Sequence, residues 1–276
     1  MGPPGSPEHK HSKIYHEIAD GLHLALSALG HDSLLTDRLD LDDRCTIVLQ
    51  PYMFGRYRIE PPKNPIMYNL EPIDHRLQWW ADPGPLAALR RYPMWDYSQA
   101  NIDRMKTWHL TAPTHVPIGY VPELSRISPA QEDIDVLFYG AVNDRRQAIL
   151  DDLRARGLRV QTLWNTYGVE RDAWIARAKV VLNVHQYEAQ PFAIVRASYL
   201  LANRRAMVSE RCTEQAEAQD LASGVAFAPY HELADRCAAL VGDETTRREL
   251  AERGYQVFSA RSQADYLRSA LSSIRC

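Results

Sequence analysis

Cysteine is scarce in this chain: four residues among 276, at positions 45, 212, 237 and 276, with no Cys-x-x-Cys pair. That spacing argues against a disulfide framework and a structural zinc site, and it points to a reducing, cytoplasmic setting. Long apolar runs are missing as well. No stretch approaches the ~20 residues of a membrane span, and the opening MGPPGSPEHKHSK lacks the apolar core of a signal peptide. Neither Gly-x-Gly-x-x-Gly after a strand nor Gly-x-x-x-x-Gly-Lys-Ser/Thr occurs, which weakens nicotinamide oxidoreductase and P-loop readings. The absence of His-Glu-x-x-His and Gly-x-Ser-x-Gly removes the main support for a zinc protease or an α/β-hydrolase. Positive charge is not in excess either. The formal net charge is −3, so no global field gathers nucleic acid or an anionic membrane.

What remains is an ordinary globular composition, 45% hydrophobic and 24% charged, in a chain long enough for two cores. Residues 1–12 can bury little and read as a tail. Ile14, Ile18, Leu22, Ala25, Leu26 and Leu29 then recur at steps of three and four, one face of an amphipathic helix ending near Gly30. The runs TIVL (46–49), PIMYNL (65–70) and HVPIGY (115–120) read as strands of a first domain, 13–125. The second half is more regular. Apolar runs at 134–140, 158–164, 179–185, 205–209 and 224–228 alternate with helix-period segments, the pattern of a parallel sheet covered on both faces. This predicts a doubly wound domain over 126–262, with 263–276 a C-terminal helix packing back on the first domain.

In such sheets ligands sit where loops and helix N-termini meet the carboxyl ends of the strands. After the strand at 134–140 comes Gly140-Ala-Val-Asn-Asp-Arg-Arg146, where Gly140, a capping Asn143, Arg145 and Arg146 compose a candidate phosphate cradle. The bland alternative is that the arginines only solvate the first turn. Thr166 and Tyr167 follow the next strand. The stretch NVHQYEAQPFAIVRASYLLANRRAMVSE (183–210) adds His185, Glu188, Arg196 and Glu210. Each of these also has an ordinary reading as a strand-end histidine, a loop acid or a helix-surface arginine. Phe192, Val195, Arg196 and Tyr199 fall on one helix face, so Arg196 is expected to need an anionic partner: a donor diphosphate, Glu188 or Glu210.

This stretch resembles the donor-binding segment of retaining GT-B glycosyltransferases, and residues 134–260 look like the CgeB type of glycosyltransferase domain. The resemblance implies an α/β fold of two Rossmann-like domains, the N-terminal one incomplete because the usual opening strand is missing. It implies a nucleotide-sugar donor, no cofactor and no obligatory metal. Glu188 stands where the family places an acid beside the transferred sugar, with His185 as its companion. The family's second acid, which holds the ribose, is replaced by Arg196 in one alignment and by Ala193 in the other. Arg145, Arg146 and Arg196 are then the candidates to neutralise the diphosphate.

On the acceptor side the candidates are Tyr68, Glu71, Trp95, Asp96, Tyr97 and Ser98, where flat aromatics alternate with short polar groups as a sugar site requires. The ordinary reading, which takes precedence here, makes Trp95 and Tyr97 core aromatics and Ser98 the N-cap of a helix from Gln99. The expected function is sugar transfer in an interdomain cleft to an unidentified acceptor. Two rivals stand beside it: a catalytically impaired binding protein of the same fold, and a nucleic-acid base glycosyltransferase, which the net charge disfavours.

Overall fold

The structure is a computed structural model that describes residues 12–41, 43–49, 51, 54, 60–73, 91–107, 112–186, 192–212 and 219–273. The chain forms two compact units, Met1–Gly119 with Ser262–Cys276, and Tyr120–Arg261. Each carries its own parallel sheet, so the fold is α/β with two Rossmann-like halves.

In unit 1 a 3-10 turn, Ser12–Tyr15, leads into α1 (His16–Ala28). Ile18, Leu22 and Ala25 are buried along one face, as the three-and-four spacing requires. Strands β1 (Thr46–Leu49), β2 (Pro65–Asn69), β3 (Met94–Asp96) and β4 (Thr114–His115) pair in that order, all parallel. Among the described residues no strand precedes α1. The segment HVPIGY contributes only its first residue to β4, because Pro117 has no N–H for a further rung. Sequence patterning overlooked β3, whose short Met-Trp-Asp run has no alternation. Helix α2 (Gln99–Thr107) follows it, with the Asn101 backbone N–H donating to Ser98 Oγ at 3.4 Å. Cys45 is disulfide-bonded, a pairing that the wide cysteine spacing gave no reason to expect.

Unit 2 runs β5 (Ile134–Tyr139), α3 (Asp144–Ala155), β6 (Val160–Leu163), α4 (Gly168–Arg177) and β7 (Ala178–Asn183). It continues with α5 (Ile194–Ala202), β8 (Met207–Glu210), β9 (Ala226–Ala228), α6 (Leu233–Gly242) and α7 (Glu244–Ser259). The strand order is β6-β5-β7-β8-β9, all parallel. Its core joins Phe138, Leu150, Leu153, Val180, Leu182, Val208, Leu233 and Leu240, each worth roughly 1.5–3 kcal/mol when fully buried. At Gly224 a Cβ would lie 2.2 Å from Gly254 Cα, so only glycine lets the chain before β9 cross α7. After Arg261 the chain rejoins unit 1 as α8 (Gln263–Ser272), capped by Ser262 and packed along α1.

The order of unit 2 positions the site. From β5 the chain first adds β6 on one side, then β7, β8 and β9 on the other, so the winding direction reverses between β5 and β7. Loops on either side of such a reversal diverge and leave a crevice at the carboxyl ends.

Candidate functional site

Several of the expected residues converge at that reversal. Strand β5 is followed by Gly140, whose φ of +131° is one L side chains rarely adopt, and a Cβ there would meet Arg196 Nη2 at 3.2 Å. Asn143 caps α3 by accepting from the Arg146 backbone N–H at 3.1 Å, and its Nδ2 donates to the Gln186 carbonyl at 2.8 Å. One side chain thus fastens the loop after β5 to the loop after β7.

The two adjacent arginines serve different ends. Arg145 is bidentate to Glu210 at the end of β8, with Nη1 to Oε2 at 2.7 Å and Nη2 to Oε1. Its guanidinium stacks 4.0 Å from the Tyr230 ring centroid. Arg146 is buried and donates to the carbonyls of Val184 at 3.0 Å and Ala141 at 2.7 Å. Glu210 also accepts from the His185 backbone N–H at 2.9 Å, so it braces the loop after β7. Glu210 therefore belongs to Arg145 and is not the partner of Arg196.

His185 is 2% exposed, and neither ring nitrogen has a hydrogen-bond partner among the described residues. Nδ1 lies 3.8 Å from Glu210 Oε2. Burial holds the imidazole down to about 4; the Glu210 carboxylate pulls upward, while Arg145, Arg146 and Arg196 push further down. The ring is neutral at pH 7.

Arg196, in the first turn of α5, donates from Nη1 to Asn183 Oδ1 at 2.9 Å and lies 4.6 Å from the Tyr139 ring centroid and 5.9 Å from that of Phe138. No carboxylate pairs with it among the described residues, and burial lowers its pKa, with Arg171 adding to the effect. Arg171 sits 4.9 Å from the Tyr199 ring and pairs with Asp172 at 3.3 Å. Phe192 precedes α5, so it lies outside the helix whose face it was expected to share, and it packs edge-on against Phe227 at 5.2 Å. The sequence reading missed Asn183 and Ser209. Their one signal is polarity at the ends of otherwise apolar strands.

The opposite edge of the same sheet differs. Asp135 accepts from Arg159 and Lys179, at 3.1 and 2.8 Å, and Asp133 is bidentate to Arg177. There, cations meet carboxylates.

Thr166 and Tyr167 follow β6, where Thr166 Oγ1 donates to the Trp164 carbonyl at 3.3 Å and Tyr167 is partly buried. Glu188 lies outside the described residues.

The acceptor-side candidates lie in unit 1, at the carboxyl ends of β2 and β3. Trp95 and Tyr68 are wholly buried and meet edge-to-face at 5.9 Å, with the Tyr68 hydroxyl donating to the Val116 carbonyl at 2.6 Å. Asp96 accepts from Asn69 Nδ2 at 2.7 Å, the Ser98 backbone N–H at 2.8 Å and Asn101 Nδ2 at 3.0 Å. Both asparagines also donate to the Glu71 carbonyl. Tyr97 and Ser98 are buried too, so of the six only Glu71 is partly exposed. Burial pushes its carboxyl up, against a hydrogen bond from the Tyr15 hydroxyl. The Trp95, Tyr97 and Ser98 side chains occupy core and capping positions.

No protein-family model matches the chain. Among curated proteins, an uncharacterized protein of Acanthamoeba polyphaga mimivirus is 44% identical over 55 residues, a match spanning 20% of this chain and 6% of that protein. Among solved structures, HepE of Anabaena in complex with UDP-glucose aligns with a TM-score of 0.60 at 14% identity, covering 76% of this chain and 72% of its own. AviGT4, a glycosyltransferase involved in avilamycin A biosynthesis, aligns with a TM-score of 0.53 at 15% identity over 95% and 91% of the two chains. The likeness is one of fold: an α/β chain with two parallel sheets, similar to solved structures of GT-B fold.

Proposed function

We propose that this chain is a glycosyltransferase that moves a sugar from a nucleotide-sugar donor, whose diphosphate lies at the carboxyl ends of β5 and β7. The observation that carries the reading is Arg196: a partly buried guanidinium held by an amide and two aromatic faces, with no carboxylate among the described residues. A cation so placed costs several kcal/mol unless an anion meets it. The fold shared with the UDP-glucose complex of HepE supports a nucleotide-sugar as that anion's source.

In this reading Gly140 leaves room above the guanidinium, and Asn143, Arg145, Arg146 and Glu210 shape the loops around it. Thr166 and Tyr167 face the nucleoside. Neutral His185 offers a hydrogen bond without adding charge, and the role of Glu188 beside the transferred sugar rests on the family resemblance. Diphosphate departure is eased by a fixed positive field that needs no reorganisation. Retention of configuration, independence from metal and the CgeB-like subtype rest on the resemblance of residues 134–260 alone. The acceptor side is assigned to unit 1, around Glu71.

The experiment is a transfer assay with UDP-, GDP-, ADP- and TDP-sugars and an acceptor panel that includes DNA, together with calorimetry on the four nucleoside diphosphates. Diphosphate binding with sugar release supports the reading. Binding without any turnover makes the chain a binding protein of this fold, which the replacement of the second acid by Ala193 or Arg196 would explain. No binding of any nucleoside diphosphate overturns the assignment.

A further inference from the structure

Arg196 is held by Asn183, and what each group can donate fixes the direction of every bond around it. A guanidinium only donates, so the amide oxygen of Asn183 must face it, and that bond is 2.9 Å. The Asn183 Nδ2 must then point the other way, where it donates to Ser209 Oγ at 3.0 Å. The hydroxyl passes the chain on, donating to the Glu210 carbonyl at 3.1 Å. Asn183 is 2% exposed, so this is a built arrangement and not a surface contact.

A carboxylate would fit the same space. One oxygen would accept from Arg196, and the other would accept from Ser209 once its hydroxyl rotated. Position 183 therefore decides whether Arg196 is neutralised from within. Three other arginines of this unit meet carboxylates of the chain: Arg159 meets Asp135, Arg177 meets Asp133 and Arg145 meets Glu210. At Arg196 the partner is neutral, and Nε and Nη2 make no hydrogen bond among the described residues. Nη2 faces Gly140, where the lack of a side chain leaves it approachable.

We infer that Asn183 is a positioning residue: it aims Arg196 and, among the described residues, leaves its charge uncompensated, so that the compensating anion comes from the ligand. This rests on the diphosphate reading above. The chemistry is charge balance and forms no covalent bond.

The test is isothermal calorimetry on the full-length chain with uridine, guanosine, adenosine and thymidine diphosphates, each against its nucleoside, plus thermal melts. Asn183→Asp should weaken the diphosphate that binds by about ten-fold or more while leaving its nucleoside unchanged. The melting temperature should hold or rise, because the new carboxylate pairs with Arg196. Asn183→Ser, which keeps a neutral acceptor, should retain most of the preference for diphosphate. In an Arg196→Ala background, Asn183→Asp should add nothing. If Asn183→Asp keeps diphosphate affinity while Arg196→Ala loses it, the role of Asn183 is overturned and the diphosphate reading stands. If Asn183→Asp fails to fold, or lowers nucleoside and diphosphate affinity equally, the inference also fails, since it requires the carboxylate to fit. If the unaltered protein binds none of the four diphosphates, the diphosphate reading and the inference fall together.

Discussion

The carboxyl edges of the two sheets both carry buried polar groups, yet they are built to opposite ends. In unit 1, Asp96, Asn69, Asn101 and Ser98 satisfy one another and clamp the Glu71 backbone, with Trp95 Nε1 the one buried atom of this region unpartnered among the described residues. In unit 2, the His185 ring and most of the Arg196 guanidinium have no such partner among the described residues. A closed network stabilises; an open one spends stability on readiness for a ligand. Two edges with similar residue types therefore differ in how their polar groups are bonded.

The largest expected effect comes from breaking the closed network. Asp96→Ala would strand two amides and a backbone N–H in the core and should destabilise unit 1 by about 3–5 kcal/mol. Denaturant unfolding would show it as an early transition, and a change below about 1 kcal/mol would mean the network is not closed as described.

A second effect separates the edges by pH. The folded pKa of His185, about 4, lies below its ordinary 6.5, so the unfolded chain takes up the proton first. The stability from keeping this ring neutral is complete above 6.5 and lost as pH falls towards 4, on the order of 3 kcal/mol. The groups around the ring are Glu210, Arg145, Arg146 and Arg196. His185→Phe, which fills the space without a titrating group, should flatten that acid slope in melts between pH 7 and 4. An unchanged slope would show that other groups cause it.

Much of unit 2 was legible in the sequence because β5 and β7 are near-continuous apolar runs and Asn143 is a strong capping residue. Strand β3 was not, since Met-Trp-Asp is too short for a period to show. Trp95 and Tyr97 have the composition of a sugar platform and of a core alike, and only burial distinguishes the two. The unequal duties of Arg145 and Arg146 were hidden for another reason: the Glu210 pairing spans 65 positions, and sequence spacing carries no sign of it. Asn183 left one trace, an amide where the strand pattern calls for an apolar residue.

The central claim, that Arg196 awaits a ligand's anion, is tested most directly by calorimetry on Arg196→Ala with a nucleoside diphosphate and its nucleoside. The account predicts a loss of about 1.5–3 kcal/mol for the diphosphate and nearly none for the nucleoside. Equal losses for both, or none for either, would contradict it.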